Sequence, residues 1–213
     1  MEAKNMNTVN FESSKTQAGV GALLLLLSVV PYAGWALGIV GIILLVKSMK
    51  EFSSYYGDQG IYQNAWTGIK YYIVALVAAS VAVTAIVLGA LSIAPLHITG
   101  FPLPAGFTVG LIVFLAGLVT AFIFYVLAAT HLRTTFNTLA QKSGDQSFAT
   151  AGTLLLVGSI LTIIVVGLLL IFVAWIFATI GFFGMKNPQF QQYATQQPYS
   201  YTPPQQPAQP IKP

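Results

Sequence analysis

The chain has 213 residues, of which 56% are hydrophobic and only 7% charged, with a formal net charge of +4. A soluble domain carries about 25% charged residues, so this composition excludes an ordinary water-soluble fold and predicts an all-α, polytopic transmembrane helical bundle. The nine Lys and Arg residues form no basic stripe, which argues against a nucleic-acid partner, and the lack of cysteine removes disulfides, thiolate metal sites and cysteine nucleophiles.

Residues 1–15 are polar and mixed in charge (Glu2, Lys4, Glu12, Lys15) and read as a loose N-terminal tail ahead of a transmembrane domain over 16–186. Thr16 to Val46 carries no charge and is long for one comfortable crossing. The turn signal Pro31-Tyr32-Ala33-Gly34 divides it into two short helices. A single kinked helix or a re-entrant hairpin also fits, because each half is short. In Lys47 to Tyr56, the side chains of Met49, Phe52, Tyr55 and Tyr56 share one helical face. The second helix is therefore expected to run on into the interface until Gly57-Asp58-Gln59-Gly60 ends it.

Tyr71 to Leu132 holds no Lys, Arg, Asp or Glu. The proline-rich stretch Ala94 to Ala105 splits it into helices over about 67–93 and 105–130. Leu132, Phe136, Leu139 and Ala140 extend one face of the second of these before Gly144-Asp145-Gln146. Gln146 to Met185 is again free of charge and would be about 60 Å long as one helix, against a hydrocarbon core of about 30 Å. It is read as a hairpin with its bend near Thr162 to Gly167, one very long helix being the alternative. Residues 187–213 form a Gln-, Pro- and Tyr-rich tail expected to be disordered, with polyproline-II character. Its Pro204-x-x-Pro207 and Pro207-x-x-Pro210 spacings fit a docking peptide for a cytoplasmic protein partner.

Charge location favours six helices arranged as three hairpins. With the N-terminus inside, the segments 1–15, 47–70, 131–147 and 186–213 hold every Lys and Arg, and the outer bends near 31–34, 94–105 and 164–167 hold none. Four spans would put Lys4, Lys15, Lys186 and Lys212 opposite the other basic residues. The expectation is thus a multi-pass protein of the cell membrane with both termini cytoplasmic.

An internal repeat supports the hairpin unit. Gly57-Asp58-Gln59-Gly60-Ile61-Tyr62-Gln63-Asn64-Ala65 matches Gly144-Asp145-Gln146-Ser147-Phe148-Ala149-Thr150-Ala151 with one gap. Each copy follows an amphipathic extension and precedes a membrane helix, which predicts a parallel hairpin repeat. The stretches GVGALLLLLSVVPYAGWALGIVGIILLV, SMKEFSSYYGDQGIYQNA and FATAGTLLLVGSILTIIVVGLLLIFVAWIFATIGFFGM make the chain resemble an uncharacterised prokaryotic integral membrane family, domain of unknown function 996 (DUF996). The resemblance covers about residues 16–186 and implies a membrane location but no activity.

Candidate site residues are few. Asp58 and Asp145 recur at matched positions, where Asp suits a helix start; the sharper reading is an inside-face pair of carboxylates that binds a cation or a partner. Gly34-xxx-Gly38 and Gly106-xxx-Gly110 have the spacing that lets helices approach closely, within the monomer or across a homo-oligomer. His131 and Arg133 read as interface anchors. The spans lack the mid-membrane charge usual in ion pumps. No catalytic, metal-binding or cofactor-binding constellation is apparent. The expectation is a non-enzymatic membrane scaffold or subunit, the alternative being a small channel or transporter for a small or apolar solute.

Overall fold

A computed structural model describes residues 2–30, 32–91 and 105–186, with side chains from Phe11 onward. The expected loop at 94–105, up to Pro104, and the expected tail at 187–213 lie outside the described residues. The described residues form six helices and no strand. They are α1 (Glu2–Leu27), α2 (Gly34–Tyr56), α3 (Gln59–Leu91), α4 (Ala105–Ser143), α5 (Ser147–Leu161) and α6 (Val166–Gly184), with a 3-10 turn at Thr162–Ile164.

The helices pair as three hairpins, α1–α2, α3–α4 and α5–α6, and each helix packs on its neighbours in the chain. The ring closes because α1 also packs on α6, where the ring of Phe183 fills the space a side chain at Gly19 would need. The bends fall where the turn signals predict. At the first, the Gly34 N–H donates to the Val30 carbonyl at 2.8 Å, and a Cβ at Gly34 would overlap the Ser28 carbonyl. At the second, Val165 takes a φ of +63° and Gly167 sits so close to Gly158 that no side chain fits.

The repeat is structural as well as sequential. Gly57 and Gly144 both adopt left-handed backbone, at φ +63° and +74°, and end α2 and α4 as C-cap glycines do. Asp58 and Asp145 follow, and each accepts a hydrogen bond from the backbone N–H two residues on, from Gly60 and Ser147 respectively, at 2.9 Å.

The structure revises three expectations. Residues 2–15 are helical rather than a loose tail: Phe11, Ser14, Ala18 and Ala22 recur on one face and are all fully buried. α3 starts at Gln59, well before residue 67, because Ile61 and Ala65 already face the core. Among the described residues four helical segments, Gln59–Leu91, Ala105–Ser143, Ser147–Ile164 and Val166–Gly184, are long and apolar enough to cross a membrane. α1 and α2 are not, since Glu12, Lys15, Lys47, Lys50 and Glu51 fall within them.

The charged end of the ring is closed by aromatic side chains. Phe11 meets Phe52 at 5.9 Å between ring centroids, Phe52 meets Phe182 at 6.2 Å, Phe182 meets Phe148 at 4.9 Å, and Phe148 meets Phe136 at 6.1 Å. This chain of rings ties α1, α2, α6, α5 and α4 together. Edge-to-face and offset pairs at such distances are favourable beyond the area they bury.

Candidate functional site

Above the aromatic floor the six helices leave a cavity of about 520 Å³. Every helix contributes to its wall: Leu25 from α1, Leu45 from α2, Tyr72 from α3, Tyr125 and Ala129 from α4, Leu155 from α5, and Phe172 and Trp175 from α6. Trp175 meets Phe136 edge-on at 6.3 Å, so the floor of the cavity is the roof of the aromatic cluster. The volume falls in the range of ligand pockets, about 300–1,000 Å³. The small Ala128 and Ala129, buried on α4, line the cavity together with Ile69 and Tyr72 of α3.

The lining is apolar. Its one aliphatic hydroxyl, Ser28, is already committed to the Leu25 carbonyl at 2.6 Å. Among the described residues no Asp, Glu, Lys, Arg or His lines the cavity. Apart from the phenols of Tyr72 and Tyr125 and the indole of Trp175, the lining offers dispersion and exclusion of water.

The residues singled out in the sequence lie outside this chamber. Asp58 and Asp145 start the α3 and α5 arms, and each makes a turn that satisfies a free backbone N–H. Asp58 is also reached by Lys142 at 3.8 Å, which links the two copies of the repeat. Asp145 lies against the end of α6, where a Cβ on Gly184 would be 3.0 Å from its Oδ2. Both therefore have structural work at the charged end. Among the described residues no group of three His, Cys, Asp or Glu side chains comes together.

Gly110 packs within the chain. A Cβ there would be 2.7 Å from the Ala85 carbonyl oxygen and 3.0 Å from the Gly89 Cα, and Gly106 flanks the same contact. Gly34 makes the first bend, and a Cβ at Gly38 would reach Ser28 at an ordinary contact distance of 3.5 Å. His131 lies 3.2 Å from the Asn64 Oδ1 through its Nδ1, and its ring meets Tyr71 at a tilt, 5.4 Å between centroids. Arg133 runs along Gly152 of α5. At the charged end, burial pushes the Tyr56 phenol up to about 12, so it stays neutral at physiological pH. Sequence reasoning missed the chamber because its wall is drawn from all six helices, between one residue on α5 and five on α6, and no spacing along the chain marks them.

A helical ring with long apolar helices, closed by aromatics at its charged end and hollow above them, defines a polytopic helical membrane protein. The chain belongs to the family described as protein of unknown function (DUF996), whose model matches residues 37–176. An uncharacterized protein of Methanocaldococcus jannaschii, MJ1644, is 26% identical over 183 residues, covering 85% of this chain and 97% of its own length. No solved structure matches this chain.

Proposed function

We propose that this is a non-enzymatic protein of the cell membrane that holds an apolar solute in its central chamber, with both termini on the cytoplasmic side. The chamber is the observation that carries the reading. The chamber is partly open beside the exposed Val29, Leu168 and Leu169, and a plain scaffold has no use for an apolar recess of about 520 Å³. The solute-handling alternative therefore gains over the scaffold. The cytoplasmic placement follows the positive-inside rule, since Lys15, Lys47, Lys50, Lys70, Arg133, Lys142 and Lys186 gather towards one end.

The test is photolabelling of the purified protein with a long-chain alkane bearing a diazirine, with labelled sites mapped by mass spectrometry. Labels are expected on the segments around Tyr72, Tyr125 and Trp175. Ala129→Phe, which projects a ring into the cavity, is expected to lose them while keeping native helicity and monodispersity. Labels confined to outward residues such as Leu88 and Ile112, and unchanged in Ala129→Phe, would overturn the reading.

A further inference from the structure

The three hairpins differ in reach. α3 and α4 have 33 and 39 residues, about 50 and 58 Å at 1.5 Å per residue. Gly152 of α5 packs against Arg133 of α4, its virtual Cβ 3.2 Å from the Arg133 Cα. Beyond that point α5 runs only to Leu161, about 14 Å. α4 continues from Arg133 back to Ala105, about 42 Å. The outer parts of α3 and α4 thus extend well past the α5–α6 bend. There they cover each other through Gly89 and Gly110 and present Val83, Leu88, Ile112 and Val119 outward.

Charges mark where water ends. Lys47, Lys50 and Lys70 are exposed, and Gly68, two residues before Lys70, packs level with Ala128 to Leu132 of α4. From Tyr71 to Leu91 and from Ala105 to Thr130 there is no Asp, Glu, Lys or Arg. The first stretch is about 30 Å long, one hydrocarbon core. With the bilayer placed there, the α5–α6 bend lies near its middle. Moving the bilayer so that α5 and α6 cross fully would bury the exposed Lys70 in lipid and lift the apolar ends of α3 and α4 into water.

The bends have the chemistry of hydrocarbon rather than of an aqueous loop. Val29 and Trp35 are each 74% exposed, and Ile163 is 71% exposed. Several of their polar groups bond within the chain: Thr162 Oγ1 donates to the Gly158 carbonyl, the Val165 N–H to the Thr162 carbonyl and the Gly34 N–H to the Val30 carbonyl, while Tyr32 at the first bend is 97% exposed. Internal satisfaction is what lipid requires of a backbone. Val165 holds a left-handed φ that a β-branched residue rarely adopts and that glycine would take without strain.

We infer that α1–α2 and α5–α6 enter the bilayer from the charged side and turn back within it, that only α3–α4 crosses, and that the chamber takes an acyl chain of a lipid in the leaflet on the charged side. The last clause rests on the solute-binding reading of the chamber. It follows because Ser28 and Val29 at one bend, and Leu168 and Leu169 just after the other, line the cavity. The chamber therefore lies at the depth of one leaflet and does not run through the membrane.

Trp35 beside the first bend reports the depth. Trp66→Phe with Trp175→Phe leaves it as the sole tryptophan of the original three. In bilayers of brominated phosphatidylcholine, bromines at mid-chain are expected to quench it more than bromines near the headgroup; the reverse order would overturn the topology. Val166→Cys is expected to resist an impermeant maleimide from both sides of sealed proteoliposomes, and Gly100→Cys to react from one. Reaction of both from the same side would also overturn it. The acyl chain is tested with a phosphatidylcholine carrying a diazirine at mid-chain, which is expected to label Leu168 to Trp175. If the alkane probe labels the chamber and this lipid does not, the acyl-chain assignment falls and the chamber reading stands; if neither labels it, both fall.

Discussion

Phe182→Ala is the most severe truncation the ring architecture predicts. Phe182 is fully buried, and its ring lies 4.9 Å from Phe148, 6.1 Å from Phe136 and 6.2 Å from Phe52, on three other helices. Truncating a buried Phe costs about 3–5 kcal/mol. Three aromatic pairs at about 0.5–1.5 kcal/mol each account for much of that. The hole cannot collapse easily, because its walls belong to α2, α4 and α5 and each is held by further partners. Unfolding by denaturant in detergent micelles, followed by tryptophan fluorescence, reads the loss, with Trp175 reporting through its contact with Phe136. Ile180, two residues earlier and 54% exposed, is the control; Ile180→Ala should shift stability by no more than about 0.5 kcal/mol. Equal losses for the two variants would refute the claim that the aromatic cluster holds the charged end together.

Two further outcomes test the paired motifs. Asp145→Ala should cost about 1 kcal/mol in the same titration through loss of the acceptor for the Ser147 N–H, and Asp58→Ala slightly more, since its ion pair with Lys142 adds less than about 1 kcal/mol; the cation-site reading predicts instead that both variants lose calcium or magnesium binding by calorimetry with stability intact. Gly110→Leu should push α4 off α3 and destabilise the monomer by about 1–3 kcal/mol. A folded Gly110→Leu protein of full stability that had changed its oligomeric state by native mass spectrometry would place that glycine between chains.

Much of the hairpin plan was legible because bends and caps are local. Pro31 to Gly34 and Thr162 to Gly167 mark the two tight bends, and Gly57-Asp58 and Gly144-Asp145 are left-handed caps whose residue types are dictated by backbone geometry and hydrogen bonding. The start of α1 was missed because Glu12 and Lys15 dominate a polar-looking stretch, although Phe11, Ser14, Ala18 and Ala22 already trace a buried face. The chamber was illegible for a different reason. Ala128 and Ala129 look like ordinary small helix residues until Tyr72, Leu155 and Trp175 arrive from three other helices. Relative depth was equally hidden: hydropathy places Ser147–Ile164 and Val166–Gly184 on a par with α3 and α4, and only the contact of Gly152 with Arg133 shows how little they reach beyond it.

The meeting of Gly19 with Phe183 has a consequence for biogenesis. α1 leaves the ribosome before α6 does, so until α6 is made the wall between α1 and α5 stands open. A nascent chain at that stage displays Leu25, Leu45 and Leu155 to its surroundings. Whatever hydrocarbon lies beside the insertion machinery is the first to wet those residues. Closing the circle then either expels that material or traps it, and the protein leaves its site of synthesis already loaded if trapping wins.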